Sequence, residues 1–299
     1  AVLGHIHEYI SGQGYYYARQ EVANFFLSLK TKPFVILAGI SGTGKTQLPR
    51  LFSQALGYPD NSKLIPVRPD WVDDSELIGY EDLNGTFRRG PLWELMQAAK
   101  AAPKEPFFAI LDEMNLARVE YYFSELLSIM ETRRWEEGQI VTDGIRGEFI
   151  PQNLYFVGTV NMDETTHPFS RKVLDRANAI EMNDIQLDWP PIGEPVAALT
   201  EVFNDFLVSP YLQVRDLDQN DKKRLRPTLL QLMKLNEMLK TADLQFGYRI
   251  RDEIAFYMLN RYEISELLSE SEALDYQILQ KILPRIHGSS RRLGTMLGE

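Results

Sequence analysis

The feature that most constrains the fold of this chain is a glycine-rich turn that directly follows a short apolar segment. Residues 34–38 are apolar, and residues 39–46 read Gly-Ile-Ser-Gly-Thr-Gly-Lys-Thr before a segment of helical character. In a G-x-x-x-x-G-K-[ST] pattern the glycines let backbone N–H groups curl around a phosphate, and the positive end of the following helix points at that phosphate. A strand, a loop and a helix in this order predict a phosphate site on an α/β fold, whereas a chance glycine-rich turn would lack the flanking elements.

The individual positions of this loop predict separate roles in binding a nucleotide. The Lys45 ammonium would reach the β- and γ-phosphates, and the Thr46 hydroxyl would bind Mg²⁺. The other positions that we expect to contact the nucleotide are Gly39, Ser41, Gly42, Thr43, Gly44 and Gln47. The pattern therefore predicts ATP or GTP as substrate and Mg²⁺ as cofactor.

Polar residues end two further apolar segments. Asp112 and Glu113 follow residues 107–111, and Asn161 follows residues 154–160. We expect Asp112 to hold the metal side of the site, Glu113 to orient and polarise the attacking water, and Asn161 to hold that water or a γ-phosphate oxygen. Adjacent acids also occur on ordinary surfaces, and Asn also forms turns after strands. The phosphate loop beside them favours the functional interpretation.

The spacing of apolar segments predicts the fold class. Four short apolar segments alternate with helical stretches, and they are residues 34–38, 64–67, 107–111 and 154–160. The first helical stretch covers residues 18–30. A weaker fifth apolar segment lies at residues 179–182. Such alternation predicts a mostly parallel five-stranded sheet between two helical layers, a three-layer α/β/α architecture. Asn84-Gly85 and Asp143-Gly144 predict two β-hairpin insertions that project from the sheet.

Composition shifts predict the domain boundaries. Residues 188–195 contain three prolines and one glycine, which is typical of a linker. Residues 1–187 would form the α/β core, beginning with an N-terminal arm over residues 1–17. Residues 196–299 would form a small all-helical lid, because apolar residues recur there at three- and four-residue steps, and we expect the tail after residue 287 to be disordered.

Charge and cysteine content exclude several functional classes. The chain has 32 Lys and Arg against 42 Asp and Glu, a net charge of −10, and no cysteine, so disulfides, thiolate zinc sites and a cysteine nucleophile are excluded. Such a surface would bind nucleic acid only through a local basic patch or another subunit. The longest apolar run, residues 33–40, is shorter than a membrane span. We expect a cytoplasmic protein without membrane contact, and an Ala at position 1 indicates a piece of a longer chain.

Together these residues resemble an AAA+ P-loop NTPase. Walker A is residues 39–46, Walker B is Asp112-Glu113, sensor 1 is Asn161, and a helical lid follows the linker. Residues 111–131, residues 158–178 and both hairpins resemble the McrB-like branch, which is related to MoxR and dynein modules. This resemblance implies a hexameric ring, hydrolysis of GTP and a McrC-type partner that carries a nuclease.

Two departures from the McrB pattern leave parts of this inference open. After the sensor strand the McrB pattern is Asn-Thr-Ala-Asp, whereas this chain has Asn-Met-Asp-Glu, so that Glu164 takes the place of the acid. Because other AAA+ proteins use ATP, the choice between adenine and guanine as the base of the nucleotide stays open. No DNA-reading domain is recognisable ahead of the first helix, so DNA would be reached indirectly or through a segment absent from this chain.

The resemblance also implies arginines that act on phosphates. Arg176 matches the arginine-finger position, which acts on the nucleotide of a neighbouring subunit, and Arg171 is the second candidate. Arg249 lies in a segment that resembles sensor 2, and there it would contact the γ-phosphate. Each arginine could instead be an ordinary surface or helix-start residue.

Three functions are compatible with these residues. The first is a ring-forming nucleoside triphosphatase that acts as the motor subunit of an McrBC-like DNA restriction system. The second is a MoxR-type chaperone or remodelling ATPase. The third is a nucleotide-gated binding module that does not hydrolyse its ligand, against which the presence of both Glu113 and Asn161 argues.

Overall fold

A computed structural model of the chain describes residues 2–162, 167–185, 187–188 and 194–286. The strands in these residues are β1 Phe34–Gly39, β2 Ser62–Pro66, β3 Gly79–Glu81, β4 Phe87–Arg89, β5 Phe107–Asp112, β6 Arg134–Glu136, β7 Gln139–Val141, β8 Gly144–Ile145, β9 Glu148–Phe149, β10 Leu154–Asn161 and β11 Asn178–Glu181. The α-helices are α1 Val2–Gly12, α2 Arg19–Thr31, α3 Gln47–Ala55, α4 Ser75–Ile78, α5 Pro91–Ala101, α6 Val119–Tyr122, α7 Ser124–Ile129, α8 Arg171–Leu174, α9 Gln219–Lys240, α10 Tyr248–Asn260 and α11 Glu270–Lys281. Short 3₁₀ helices cover Met114–Leu116, Met130–Thr132, Asn204–Leu207, Val214–Asp216, Arg261–Ile264 and Leu283–Arg285.

The central sheet has five strands in the order β11-β1-β10-β5-β2, and every neighbouring pair is parallel. This confirms the predicted parallel sheet, including its weak fifth strand. In the register, Gly39 of β1 lies opposite Asn161 of β10, and Pro66 of β2 lies opposite Asp112 of β5. The carboxyl ends of these strands therefore meet at one edge, which we call the carboxyl edge. The opposite edge, where the strands begin, is the amino edge.

Both faces of the sheet are covered, which explains why its strands are continuous apolar runs. All six residues of β1 are buried. Val35 and Leu37 face a cluster that includes α1, α2, α3 and the helices after residue 218, while Phe34 and Ile36 face a cluster that includes α5 and α7. The fold is thus the predicted three-layer α/β/α arrangement.

The hairpin at Asn84-Gly85 is present as the antiparallel pair β3–β4. Only Gly85 of the two residues has positive φ, at 75°, and the Asp82 N–H bonds the Thr86 carbonyl, so the loop is one residue longer than a primed two-residue turn. The pair lies outside the central sheet, as predicted.

The predicted turn at Asp143-Gly144 is wrong, because the region folds as two hairpins. Strands β6–β7 turn at Glu137-Gly138 and β8–β9 turn at Arg146-Gly147, where both residues of each pair have positive φ. Gly144 instead begins β8. The Asp143 backbone N–H donates to the Thr132 hydroxyl at 2.7 Å, which holds Asp143 at the base of the first hairpin. The described residues thus contain three projecting hairpins, whereas two were predicted.

The helical region after the linker packs on the outer side of α2. Leu232 and Leu239 of α9, Ile254 and Tyr257 of α10, and Leu274 of α11 are buried, as the apolar spacing predicts. Asp218 and Ser269 cap the N-termini of α9 and α11. Helix α10 crosses α2, where the Tyr257 hydroxyl donates to the Asn24 side chain at 2.7 Å. The lid and the core therefore share one hydrophobic cluster.

Parts of the predicted domain organisation fall outside the described residues, namely residues 189–193 of the linker and the tail after residue 286. The domain boundaries remain predictions. Within the predicted N-terminal arm, residues 2–12 form helix α1, whose Leu3, Ile6 and Ile10 are buried beside α2 and α3. No helix in the described part of the chain is long and apolar enough to span a membrane.

Candidate active site

The glycine-rich loop joins β1 to α3 at the carboxyl edge. Gly42 and Gly44 have φ of 85° and 83°, a left-handed conformation in which a side chain would be strained. The Lys45 ammonium lies inside the loop, 3.0 Å from the Gly39 carbonyl oxygen and 2.6 Å from the Ile40 carbonyl oxygen. The loop therefore has the backbone conformation that a phosphate site needs, with a buried cation at its centre.

The remaining predicted loop residues lie around this cation. Ser41 is exposed, the Thr43 hydroxyl donates to the Ile40 carbonyl at 3.2 Å, and Gln47 is the first residue of α3. The Ile40 N–H donates to the Asn183 side chain at 3.2 Å, so the end of β11 supports the loop from outside.

A tyrosine that the sequence pattern did not point to also holds the loop. The Tyr17 hydroxyl donates to the Gly44 carbonyl at 2.8 Å, and a Cβ at position 44 would collide with that hydroxyl. Burial raises the pKa of Tyr17, so the hydroxyl stays a proton donor at neutral pH. The sequence signal available for Tyr17 was a run of three tyrosines at residues 15–17, 27 positions before the Gly44 that it contacts.

The predicted metal-side residues are in direct contact. The Thr46 hydroxyl donates to Asp112 Oδ1 at 2.9 Å, across the gap between the loop and β5. A hydroxyl and a carboxylate fit Mg²⁺, which takes oxygen ligands and usually completes its shell with water and phosphate oxygens. No group of three or more His, Cys, Asp or Glu in the described ranges could hold a metal by itself. Thr46 and Asp112 would therefore hold the ion together with a bound nucleotide.

The second acid and the predicted sensor residue also meet. Asn161 Nδ2 donates to Glu113 Oε1 at 3.1 Å, although the two residues come from different strands. Glu113 has φ of 50°, an uncommon left-handed conformation for a non-glycine residue, which marks a position whose geometry is set by its surroundings.

Thr159, two residues before the end of β10, connects the two acids. Its hydroxyl donates to Asp112 Oδ1 at 2.8 Å and accepts from the Glu113 backbone N–H at 3.0 Å. No motif in the sequence points to Thr159. The available signal was a hydroxyl within an apolar strand, two positions before Asn161 and hence on the same face. Thr46, Asp112, Thr159, Glu113 and Asn161 form one continuous hydrogen-bonded chain.

The predicted phosphate-binding arginine of the lid lies elsewhere. Arg249 Nε is 2.8 Å from Glu131 Oε2, and the same carboxylate contacts Lys32, which precedes β1 at the amino edge. The structure therefore places Arg249 away from the phosphate loop of its own chain, and the contact of Arg249 with a γ-phosphate stays a prediction. The physical reason is the packing of the lid: α10 crosses α2, and the Glu253–Lys32 contact places the beginning of α10 at the amino edge.

The two arginine-finger candidates differ in exposure. The Arg176 side chain is only 15% exposed, its Nη1 donates to the Lys172 carbonyl at 2.8 Å, and its Nε lies 3.7 Å from Glu131 Oε1. Arg171 is exposed at the first position of α8. Asp163 and Glu164, where the sequence departs from the McrB pattern, lie outside the described residues.

Comparisons with known proteins agree with this geometry. Residues 34–177 match the family model of the AAA domain of the dynein-related subfamily, and residues 200–299 match a domain of unknown function. The chain is 31% identical over 147 residues to the EcoKMcrB subunit of the type IV methyl-directed restriction enzyme of Escherichia coli K12, an alignment that covers 44% of this chain and 31% of that protein. The crystal structure of a candidate ATPase from Cytophaga hutchinsonii superposes with a TM-score of 0.56 at 16% identity, covering 99% of this chain and 94% of the other.

The fold, the phosphate loop and the chain of polar residues at the carboxyl edge define an AAA+ P-loop nucleoside triphosphatase. Residues 34–177 are an AAA domain of the dynein-related subfamily, and the alignment with the EcoKMcrB subunit makes this part of the chain similar to McrB. Because the aligned part is about a third of the Escherichia coli relative, the activity and partners of that whole protein are not thereby assigned to this chain.

Proposed function

We propose that this chain is a ring-forming ATPase or GTPase that acts as the motor subunit of an McrBC-like DNA restriction system. The observation that carries the catalytic part of the proposal is the hydrogen-bonded chain from Thr46 through Asp112 and Thr159 to Glu113 and Asn161. The McrB relative supports the restriction part. Hydrolysis would drive a McrC-like subunit that carries the nuclease, and the protein would work in the cytoplasm.

The residues of the carboxyl edge have separable roles in this proposal. Lys45 and the loop N–H groups hold the β- and γ-phosphates, and Thr46 and Asp112 hold Mg²⁺, which neutralises phosphate charge when bound. Glu113 accepts a hydrogen bond from the attacking water and orients it. Asn161, 3.1 Å from the Glu113 carboxylate, keeps that carboxylate aimed without adding charge.

A neighbouring subunit completes the site. Arg176 and Arg249 lie at the amino edge of their own sheet, on the opposite side from their own phosphate loop. An arginine in that position can reach only the nucleotide of another subunit, where a guanidinium can raise the rate by ~10³ to 10⁵. Arg171, which is exposed, is the alternative finger. We therefore propose a closed homo-oligomer, a hexamer, with each site shared between two subunits.

Nucleotide turnover by Glu113→Gln tests the catalytic assignment. The amide keeps the shape of the side chain but cannot act as a general base. We therefore expect kcat to fall by a factor of about 10² or more while nucleotide binding is retained. Glu237→Gln, an exposed position on α9, is the matched control and should leave kcat unchanged. Parallel assays with ATP and GTP show which of the two nucleotides is the substrate. Unchanged turnover in the Glu113 variant would remove the catalytic assignment.

A MoxR-type remodelling ATPase is the second candidate, since the fold is common to both groups. Co-purification from the native host separates them. A nuclease-bearing partner supports the restriction motor, whereas a metalloprotein client supports the remodelling role. DNA would be contacted through the partner or through a segment outside this chain.

A further inference from the structure

Helix α9 of the lid carries a local excess of positive charge on an otherwise acidic chain. Residues 222–240 contain six cationic side chains and one carboxylate, that of Glu237, so this stretch has a net charge of +5 within a chain whose total is −10. The six cations are all exposed, and they are Lys222, Lys223, Arg224, Arg226, Lys234 and Lys240. The carboxyl-edge site uses none of them.

These cations have no carboxylate partner within the chain. Among the residues that the structure describes, none of the six forms an ion pair, whereas Arg251 at the start of α10 pairs with Asp252 at 2.6 Å. The acids at the start of α9 serve the helix cap, because Asp218 and Asp221 each accept a hydrogen bond from the backbone N–H of the other. The charges of the six cations are therefore available to a binding partner.

The positions of the cations are unfavourable for the helix itself. Lys222 lies in the first turn of α9, at the positive end of the helix dipole, and Arg226 follows it at a distance of four residues. A cation at that end and a pair of like charges at this spacing each destabilise a helix. Residues that break such a local rule are expected where a function outside the fold requires them.

An apolar groove lies beside these cations, between α9 and the start of α10. It has a volume of about 450 Å³, and among the described residues its lining contains one guanidinium and no carboxylate; the lining residues are Leu229, Leu232, Met233, Asn236, Phe246, Gly247, Tyr248 and Arg251. Met233 is 64% exposed and Tyr248 is 78% exposed. Large apolar side chains exposed around one groove are typical of a binding surface. We call this groove together with the six cations the lid surface.

The groove and part of the cations share one stripe of α9. Steps of three or four residues, which keep side chains on one side of a helix, connect Lys222, Arg226, Leu229, Met233, Asn236 and Lys240. At a rise of 1.5 Å per residue this stripe is about 27 Å long. It is apolar near its centre and positive at both ends. A second helix laid along it would be complementary if it were apolar near its centre and carried carboxylates on either side.

We propose that the lid surface binds an acidic amphipathic helix of a partner protein, with apolar side chains of that helix in the groove and its carboxylates on the cations of α9. Charge complementarity and the apolar groove together select this class of partner. Nucleic acid would pair its phosphates with the cations but would leave Met233 and Tyr248 uncovered. The lid surface shares no residue with the carboxyl-edge site, so the proposal does not depend on the function proposed above.

Site-specific photo-cross-linking in the native host identifies the partner. The full chain carries p-benzoylphenylalanine in place of Met233, and in a matched control the same group replaces Leu83, an exposed apolar residue between β3 and β4. Mass spectrometry of the adduct should identify a protein segment that is rich in Asp and Glu and has apolar residues at helical spacing, in the Met233 sample alone. A nucleic acid adduct, an adduct with a second copy of this chain, a segment without excess carboxylates or no adduct would each overturn the proposal.

Calorimetric titration of the purified chain with a synthetic peptide of the cross-linked segment measures the two parts of the lid surface separately. Arg226→Gln should raise the Kd about threefold, the value of one exposed ion pair, and higher salt should reduce this difference. Met233→Ala should raise the Kd about tenfold, because it removes an apolar side chain that the peptide would cover. Both positions are exposed, so neither change should unfold the lid.

Lys63→Gln and Leu83→Ala are the matched controls, since Lys63 pairs with Glu94 and both residues lie outside the lid. They should leave the Kd of the peptide unchanged. Equal affinities for wild type, Arg226→Gln and Met233→Ala would refute the lid surface, as would tighter binding of duplex DNA than of the peptide. Nucleotide turnover without peptide should be the same in all these variants, so a failure of the catalytic proposal would be seen separately.

Discussion

The substitution Thr159→Val tests whether the polar chain at the carboxyl edge positions the catalytic carboxylate. Valine has nearly the same shape as threonine, so the change removes a hydroxyl without opening a cavity. Two hydrogen bonds disappear, one of 2.8 Å to the Asp112 carboxylate and one of 3.0 Å from the Glu113 backbone N–H. Thr159 is 2% exposed, so water cannot replace the lost partner.

The size of the effect follows from these two bonds. A hydrogen bond to a charged group contributes about 1.5–3 kcal/mol and a neutral one about 0.5–1.5 kcal/mol, so the free energy of unfolding should fall by about 2–4.5 kcal/mol. Glu113 loses the restraint on its backbone N–H and keeps the contact with Asn161, so kcat should fall about 10- to 100-fold. KM should change little, because the Lys45 loop is untouched.

Steady-state kinetics and urea denaturation of the same preparations measure both quantities. Thr142→Val is the matched control, since the Thr142 hydroxyl accepts from the Ile150 N–H at 3.0 Å in the hairpin region. It should lower stability slightly and leave kcat unchanged. A folded Thr159→Val protein with kcat within about twofold of wild type, a difference of less than 1 kcal/mol in barrier, would refute the reasoning.

Other predictions concern the lid and the loop. Glu253→Gln should lower the free energy of unfolding by about 3–5 kcal/mol, because it leaves Lys32 and Lys281 buried without their common counter-ion; urea unfolding measures this, and a loss below 1 kcal/mol would contradict it. Burial alone would raise the pKa of Glu253, but Lys281 and Lys32 lower it in the folded protein. The contribution of the ionised Glu253 to the free energy of unfolding is therefore present above about pH 4.3, and it is lost as the pH falls through the lowered pKa of the folded state. The stability difference between wild type and Glu253→Gln should therefore shrink below about pH 4, and a difference that is constant from pH 7 to pH 3 would be the opposite result. Tyr17→Phe should raise the nucleotide Kd about fivefold, the equivalent of one hydrogen bond, whereas Tyr16→Phe, at an exposed ring, should not change it; equal affinities would show that the Gly44 contact does not shape the loop.

Local patterns predicted much of the fold, because strands, caps and turns depend on neighbouring residues. The five strands of the sheet lie within two residues of their predicted positions. The error at Asp143-Gly144 has a non-local cause: the hydrogen bond from Asp143 to Thr132 and the two nearby glycine turns outweigh the preference of that dipeptide. The free energy by which a dipeptide favours one turn is little more than that of one hydrogen bond, so a tertiary contact can outweigh it.

The sequence by itself determined the phosphate loop and the acids that follow β5, since each is a contiguous run whose function depends on backbone conformation and strand ends. Only the tertiary structure decided that β10 lies between β1 and β5, which places the Thr159 hydroxyl against Asp112 and Asn161 against Glu113. It also decided that Arg249, Arg176 and Lys32 meet at Glu131, on the far edge from their own phosphate loop. The physical reason is that these contacts join residues separated by tens to hundreds of positions, and helix packing and strand order, which no local periodicity specifies, bring them together.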